Sequence, residues 1–127
     1  MIVLDASVAI TGLLTVGPAR TILAESALSA PHLIDTEVAH VFRRRVRLGQ
    51  LDPTDAERAL LSWQQLAITR LPIVGALDRL WELRENLSAY DATYVVLAEA
   101  LGVELVTADA RLAGAPGPRC AITVIRP

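Results

Sequence analysis

Short apolar runs alternate with longer stretches of helical period along this chain, and that alternation limits the fold more than any other feature. Ile2 to Leu4 is a continuous apolar run closed by a charge, Asp5, the pattern of a strand buried on both faces. Glu104 to Thr107 and Ala121 to Ile125 repeat it, and Pro31 to Ile34 and Leu71 to Val74 are weaker copies that each contain a proline. Between them lie helical periods over 6 to 14, 18 to 28, 36 to 48, 53 to 68, 76 to 87 and 91 to 101. Strands alternating with helices predict an α/β fold with a parallel sheet covered on both sides.

Local chemistry supports several boundaries. Asp52-Pro53 offers an N-cap and a first-turn proline, and Gly49 and Gly102 fall where left-handed C-caps sit. Asp35 reads as the N-cap of the helix that carries Glu37. In the segment 76 to 87, Leu77, Leu80, Trp81 and Leu87 form an apolar stripe interrupted by Arg84. Trp81 and Trp63 read as core or rim packing rather than as platforms for nucleic-acid bases.

With 127 residues, 53% of them hydrophobic and 20% charged, the expectation is one domain, 1–127, with a real core. No apolar run approaches the roughly eighteen residues of a membrane helix. Met1 to Leu4 lacks a basic leader and runs into Asp5, so no secretory signal and a cytoplasmic setting are expected. One cysteine, Cys120, and two histidines, His32 and His40, exclude an internal disulfide and leave too few soft ligands for structural zinc. All twelve basic residues are Arg. The absence of Lys removes the Gly-Lys-Ser/Thr phosphate loop, Schiff-base chemistry and the phosphoacceptor site of signalling receivers. A formal net charge of −2 means that any nucleic acid must be gripped locally rather than by long-range attraction.

The chemical signal is where the acids fall. Asp5 ends the first strand and Asp109 lies two residues beyond Thr107, so both emerge at the carboxyl edge of the sheet, where open α/β folds bind ligands. Asp91 opens the helix that runs to Leu101, and Glu37 stands in the first turn of another; right-handed connections bring both in from the same edge. Singly, Asp91 and Glu37 are adequately explained as complements to helix N-termini, worth about 0.3–1 kcal/mol each. Asp109 reads equally as an ordinary turn residue. Asp5 resists such an explanation, because a carboxylate closing a buried strand has few cheap structural uses.

Two carboxylates about 4 Å apart repel by about 4 kcal/mol at an effective dielectric near 20, so four converging acids need protons or a cation. All-oxygen ligands select Mg²⁺ or Mn²⁺, ions that share their coordination with substrate phosphate and activate water for phosphodiester hydrolysis. Ser7 and Thr107, each two positions from a key Asp, are placed to orient a carboxylate or water, or else to cap local backbone. On the helix after Asp35, Glu37, His40, Arg44 and Arg47 fall within about an 80° arc opposite Val38, Val41, Phe42 and Val46. Arg43, Arg44 and Arg47 suit RNA phosphates near such a centre and suit a solvated helix end equally well. Arg45 projects toward the apolar side and fits a subunit or partner interface, and His40 reads as a surface residue.

Met1-Ile2-Val3-Leu4-Asp5-Ala6-Ser7, the Glu37-Val38 helix followed by arginines, Tyr90-Asp91-Ala92-Thr93-Tyr94-Val95-Val96-Leu97-Ala98-Glu99-Ala100 and Leu105-Val106-Thr107-Ala108-Asp109 together resemble the PIN-domain ribonucleases, specifically VapC-type toxins of bacterial toxin–antitoxin pairs. The resemblance runs from the first residue to the last strand in the expected order. It implies a three-layer α/β/α sandwich around a mainly parallel sheet and a Mg²⁺- or Mn²⁺-dependent endoribonuclease acting on transfer or ribosomal RNA. It casts Asp5, Glu37, Asp91 and Asp109 as the acidic quartet: Asp5 and Asp91 as direct metal ligands, Asp109 as a nearby ligand or water-positioner, Glu37 as acting through water. It also implies a homodimer neutralised by a VapB-type antitoxin whose C-terminal segment fills a groove beside the active site. The rival reading is a PIN-like module that binds RNA or protein without cutting. An aspartyl phosphatase would need a second Asp where Ser7 stands, and no Gly-x-Gly-x-x-Gly follows the first strand to support a dinucleotide site.

Overall fold

The computed structural model describes residues Met1 to Arg126. In chain order the elements are β1 (Ile2–Leu4), α1 (Ala6–Leu14), α2 (Pro18–Glu25), β2 (Leu28–Pro31), α3 (Leu33–Arg47), α4 (Pro53–Gln65), β3 (Ile68–Leu71), α5 (Leu77–Glu82), α6 (Ala89–Leu101), β4 (Leu105–Thr107), α7 (Ala110–Gly114) and β5 (Ile122–Val124). All strand pairs are parallel, in the order β3-β2-β1-β4-β5. Val3 on the central strand faces Ser29 of β2 on one side and Leu105 of β4 on the other.

That order decides where the helices go. The chain steps outward from β1 to β2 to β3, returns to β4 beside β1, and then steps to β5. Right-handed crossovers therefore send α1 to α4 to one face and α5 to α7 to the other, a three-layer α/β/α arrangement. Packing agrees: α1 lies against α2, α3 and α4, while α6 spans β1, β2 and β4 with α5 against it. The direction of winding reverses between β1 and β4, which makes the crevice beyond their carboxyl ends the switch point where α/β sheets take ligands.

The core follows from the apolar runs. Val3, Leu4, Leu105 and Val106 are buried between the layers, and every residue of α6 from Ala92 to Ala98 is buried, as suits a helix laid across a sheet's centre. Gly12 lets α1 approach α2 closely, since a Cβ there would stand 2.5 Å from Leu23 Cδ1 and 3.0 Å from the Ala19 carbonyl oxygen. Asp52 caps α4 by accepting the Thr54 N–H at 2.8 Å, and Gly49 and Gly102 take φ of 69° and 67°, as their positions predict.

Several expectations need correction. The second and third strands lie three residues earlier than the apolar runs suggested, at Leu28–Pro31 and Ile68–Leu71, so Pro31 and Pro72 end strands rather than interrupt them. Leu28 to Pro31 is wholly buried despite Ser29, whereas β3 is an edge strand, so neither reads as a clean apolar run. The predicted helices over 18 to 28, 36 to 48 and 53 to 68 are bounded instead as α2, α3 and α4, and α7 was not anticipated. Asp35 is not an N-cap: it is the third residue of α3, its carboxylate tied to Arg70 and Trp63. The stripe of 76 to 87 is buried only in part: Leu80 and Leu87 pack against the edge of the core. Leu83 is the core residue there, while Leu77 and Trp81 are exposed and Arg84 stacks on the Trp81 ring at 4.9 Å. Trp63 is buried, as expected. No single helix among the described residues is long and apolar enough to cross a membrane.

Candidate active site

Asp5 sits at the end of β1 and is both N-cap and acid. Its Oδ1 accepts the Ser7 N–H at 3.0 Å and the Val8 N–H at 3.4 Å, which closes the first turn of α1. Its two carboxylate oxygens also accept side-chain hydroxyls: Oδ1 that of Ser7, Oδ2 that of Thr107 at 2.6 Å. Thr107 is fully buried at the end of β4. Both hydroxyl oxygens accept backbone N–H groups in turn, Ser7 from Ala108 at 2.9 Å and Thr107 from Asp109 at 3.0 Å. Each N–H takes one lone pair of its hydroxyl oxygen, and the carboxylate of Asp5, which as an anion can only accept, receives the hydroxyl's hydrogen bond. The supporting role read for Ser7 and Thr107 is thus their geometry: the switch point is laced shut, and the Asp5 carboxylate is fixed in one orientation.

The other acids come from three helices. Asp91 lies in the first turn of α6, whose N-cap Ser88 accepts the Asp91 N–H at 3.1 Å; its carboxylate has no side-chain partner among the described residues. Glu37, on α3, accepts the Tyr94 hydroxyl at 2.6 Å. Asp109 caps α7 by accepting the Arg111 N–H at 3.0 Å, and its carboxylate is forked by the Arg111 guanidinium at 2.8 and 3.1 Å. Asp109 is therefore both the turn residue and the cavity acid that the sequence left as alternatives. All four acids line one cavity of about 310 Å³, together with Ser7, Thr11, Val41, Arg45 and Tyr94.

Electrostatics separates Asp5 and Glu37 from Asp109. Burial pushes the Asp5 carboxyl above its ordinary range, although two hydroxyls and two N–H groups pull it down. Burial also raises Glu37; the Tyr94 hydroxyl opposes this, and the charges of Asp5 and Asp91 add to it. The same burial, with Glu37 as acceptor, holds the Tyr94 phenol protonated far above its usual range, so it remains a donor. Asp109 runs the other way, because the Arg111 guanidinium holds it below the aspartate range.

This donor set fits a hard divalent cation in its chemistry, being four carboxylates with no His or Cys on the wall, two of them destabilised as anions by burial. In spacing the fit is incomplete: among the described residues no three such side chains gather as tightly as ligation requires, and Asp109 is engaged by Arg111.

Two lining residues escaped the sequence reading. Tyr94 follows Asp91 by three positions on α6, a spacing that puts both on one face and was available as a signal. Arg45 follows Glu37 by eight, two turns along α3, with Val41 between them on the same wall. The face of α3 that meets the cavity is thus Glu37-Val41-Arg45, not Glu37-His40-Arg44, and Arg45 lines the cavity. Arg43, Arg44 and Arg47 are exposed on α3 beyond the cavity wall, and His40 is exposed.

Comparison with known proteins agrees with this geometry. The family model for the PIN domain matches residues 2–118. Ribonuclease VapC9 of Mycobacterium tuberculosis (strain ATCC 25618 / H37Rv) is 51% identical over 125 residues, 98% of each chain. Ribonuclease VapC1 of the same strain is 44% identical over 108 residues, 84% of this chain and 81% of that one. Among solved structures, PAE2754 from Pyrobaculum aerophilum superposes with a TM-score of 0.72 at 27% identity, over 97% of this chain and 83% of that one. The chain with four acids at its β1/β4 switch point belongs to the PIN-domain family, on its VapC branch.

Proposed function

We propose that this chain, as one domain, is a divalent-metal-dependent endoribonuclease that acts as the toxin of a toxin–antitoxin pair. The observation that carries the reading is the meeting of four carboxylates from four separate elements on one cavity at the sheet's switch point. Its relatives VapC9 and VapC1 bear the name ribonuclease, which supports RNA as the polymer cut.

Asp5 and Asp91 would hold Mg²⁺ or Mn²⁺ directly, with Asp109 and Glu37 completing the set. When bound, such an ion activates water and neutralises charge on the phosphate under attack. The protein's own contribution is positional. Ser7 and Thr107 lock Asp5, and Tyr94 locks Glu37 through a hydroxyl that stays protonated. Asp109 would join with a carboxylate that Arg111 also grips. Arg43, Arg44 and Arg47 offer phosphate contacts along α3 that supply local grip despite the acidic net charge. A homodimer, a VapB-type antitoxin partner, transfer or ribosomal RNA as substrate and a cytoplasmic setting belong to the same proposal.

The test is cleavage of total cellular RNA by the purified chain, free of any partner, with Mn²⁺ or Mg²⁺, with chelator, and with Asp5→Asn. Discrete fragments that require both metal and Asp5 are expected, with a loss in Asp5→Asn of at least about a hundredfold. RNA bound but uncut under every condition would replace this reading by the non-catalytic binding module.

A further inference from the structure

Apart from its four acids, the cavity wall carries one charged side chain, Arg45. An arginine facing carboxylates ordinarily forks onto one of them. Elsewhere in this molecule that is what happens: Arg70 forks Asp35, Arg79 forks Glu99 and Arg111 forks Asp109. Arg45 departs from the pattern. It is half-buried, yet it makes no ion pair and no side-chain hydrogen bond among the described residues.

The reason lies in how the acids are engaged. Asp5 is taken up by Ser7 and Thr107, Glu37 by Tyr94 and Asp109 by Arg111. Asp91 alone keeps a carboxylate without a side-chain partner. One free anion, on α6, and one free cation, on α3, thus line the same cavity without meeting. A cavity with both ends of the charge scale unsatisfied suits a ligand that is itself bipolar, an anionic phosphate with a cation on its far side. A guanidinium partly withdrawn from water is worth more to such an anion than the exposed Arg43, Arg44 or Arg47.

We propose that Arg45 binds the scissile phosphate of the polynucleotide inside the acid-lined cavity and stabilises the charge that builds on it during cleavage. This rests on the nuclease reading above. It separates two roles along α3: Arg45 acts at the reacting phosphate, whereas its exposed neighbours hold phosphates further along the strand.

The experiment compares wild type, Arg45→Ala, Arg45→Lys and Arg44→Ala for steady-state RNA cleavage, for the rise in melting temperature on adding Mn²⁺, and for the salt dependence of binding a short single-stranded RNA. In Arg45→Ala, kcat is expected to fall about 10²–10³-fold, as when one oxyanion donor is lost, while the Mn²⁺-induced rise is kept or enlarged. Arg45→Lys recovers part of kcat, and Arg44→Ala raises KM with kcat unchanged. An unchanged kcat in Arg45→Ala, or loss of its Mn²⁺ response, would overturn the proposal. Should the wild type bind RNA without cutting it, the nuclease reading fails by itself. The binding role of Arg45 is then upheld by a log–log salt slope about 0.7 shallower in Arg45→Ala, and sunk by an unchanged slope.

Discussion

Acids outside the cavity and acids inside it meet burial with opposite results. Arg70 donates to both oxygens of Asp35, at 2.6 and 2.8 Å, Trp63 Nε1 adds a third bond at 2.7 Å, and the carboxyl is held below the ordinary aspartate range. Burial pushes Glu99 up, but Arg79 and the Arg119 N–H at 2.7 Å outweigh it and bring the group down. In the cavity, Asp5 and Glu37 are given hydroxyls in place of guanidinium groups, and both end above their ordinary range. An acid supplied with a cation is finished, and it fastens one element to another. An acid supplied only with hydroxyls is held in place without a cation to answer its charge. Asp109 crosses the line, being in the cavity yet paired.

The sharpest way to break the contrast is Thr107→Val, which keeps the shape of a fully buried side chain and removes its hydroxyl from Asp5. Metal affinity and cleavage are expected to fall about 10–100-fold. An unaffected cleavage rate would mean that the hydroxyl lacing is packing alone. Next in size is Arg70→Ala, which leaves Asp35 and Trp63 without their partner. Because Asp35 and Arg70 are both partly exposed, the cost is discounted to about 1–2 kcal/mol. The melting temperature should drop by several degrees, with cleavage by the correctly folded fraction unchanged.

The same variant sharpens the contrast through pH. Asp35 and Glu99, ordinarily near 3.8 and 4.5, are depressed in the fold, so their stabilisation is full above those values and is lost as pH falls through the lowered ones. Asp5 and Glu37 carry the opposite sign: the fold favours their protonated forms, so they subtract stability as pH rises out of the ordinary carboxylate range. Melting temperatures of the metal-free chain between pH 7 and 3 should therefore show a flatter acid loss in Arg70→Ala than in wild type. Smallest of all is Ser29→Ala. Its hydroxyl is buried in β2 with no partner among the described residues, so removing it should leave stability within about 0.5 kcal/mol of wild type or slightly above it. A larger loss in chemical denaturation would show that the hydroxyl is satisfied after all.

The sheet class and the meeting of Asp5 with Asp109 were legible because strand 1 and strand 4 are buried on both faces and end in Asp5 and Thr107-Ala108-Asp109, where pattern and chemistry coincide. Strands 2 and 3 were displaced by three residues because Ser29 and Arg70 break their apolar runs; what makes them strands is parallel pairing with neighbours, which one-dimensional periodicity does not register. Asp35 misled for a related reason. Its partner Arg70 stands 35 residues away, and a tertiary ion pair outbid the local capping preference. The hydroxyl role of Ser7 and Thr107 was foreseeable from proximity to the acids. Arg45 was misplaced because a wheel of ideal period fixes relative angles, while the packing of α3 against its neighbours fixes which side meets the cavity.

The Thr107 hydroxyl joins residues 102 positions apart, and Ser7 meets the Ala108 N–H across 101. Strand 4 enters beside strand 1 only after two full crossovers have been laid on the other side of it. Contacts of such sequence separation close last and slowly, because the loop entropy must be met before they contribute. Asp5, at the end of β1, takes a hydroxyl that aims it from β4, and shares its cavity with acids of α6 and the β4 end. The aim of the first strand's carboxylate is therefore set by the carboxyl-terminal fifth of the chain, which supplies Thr107, Ala108 and Asp109.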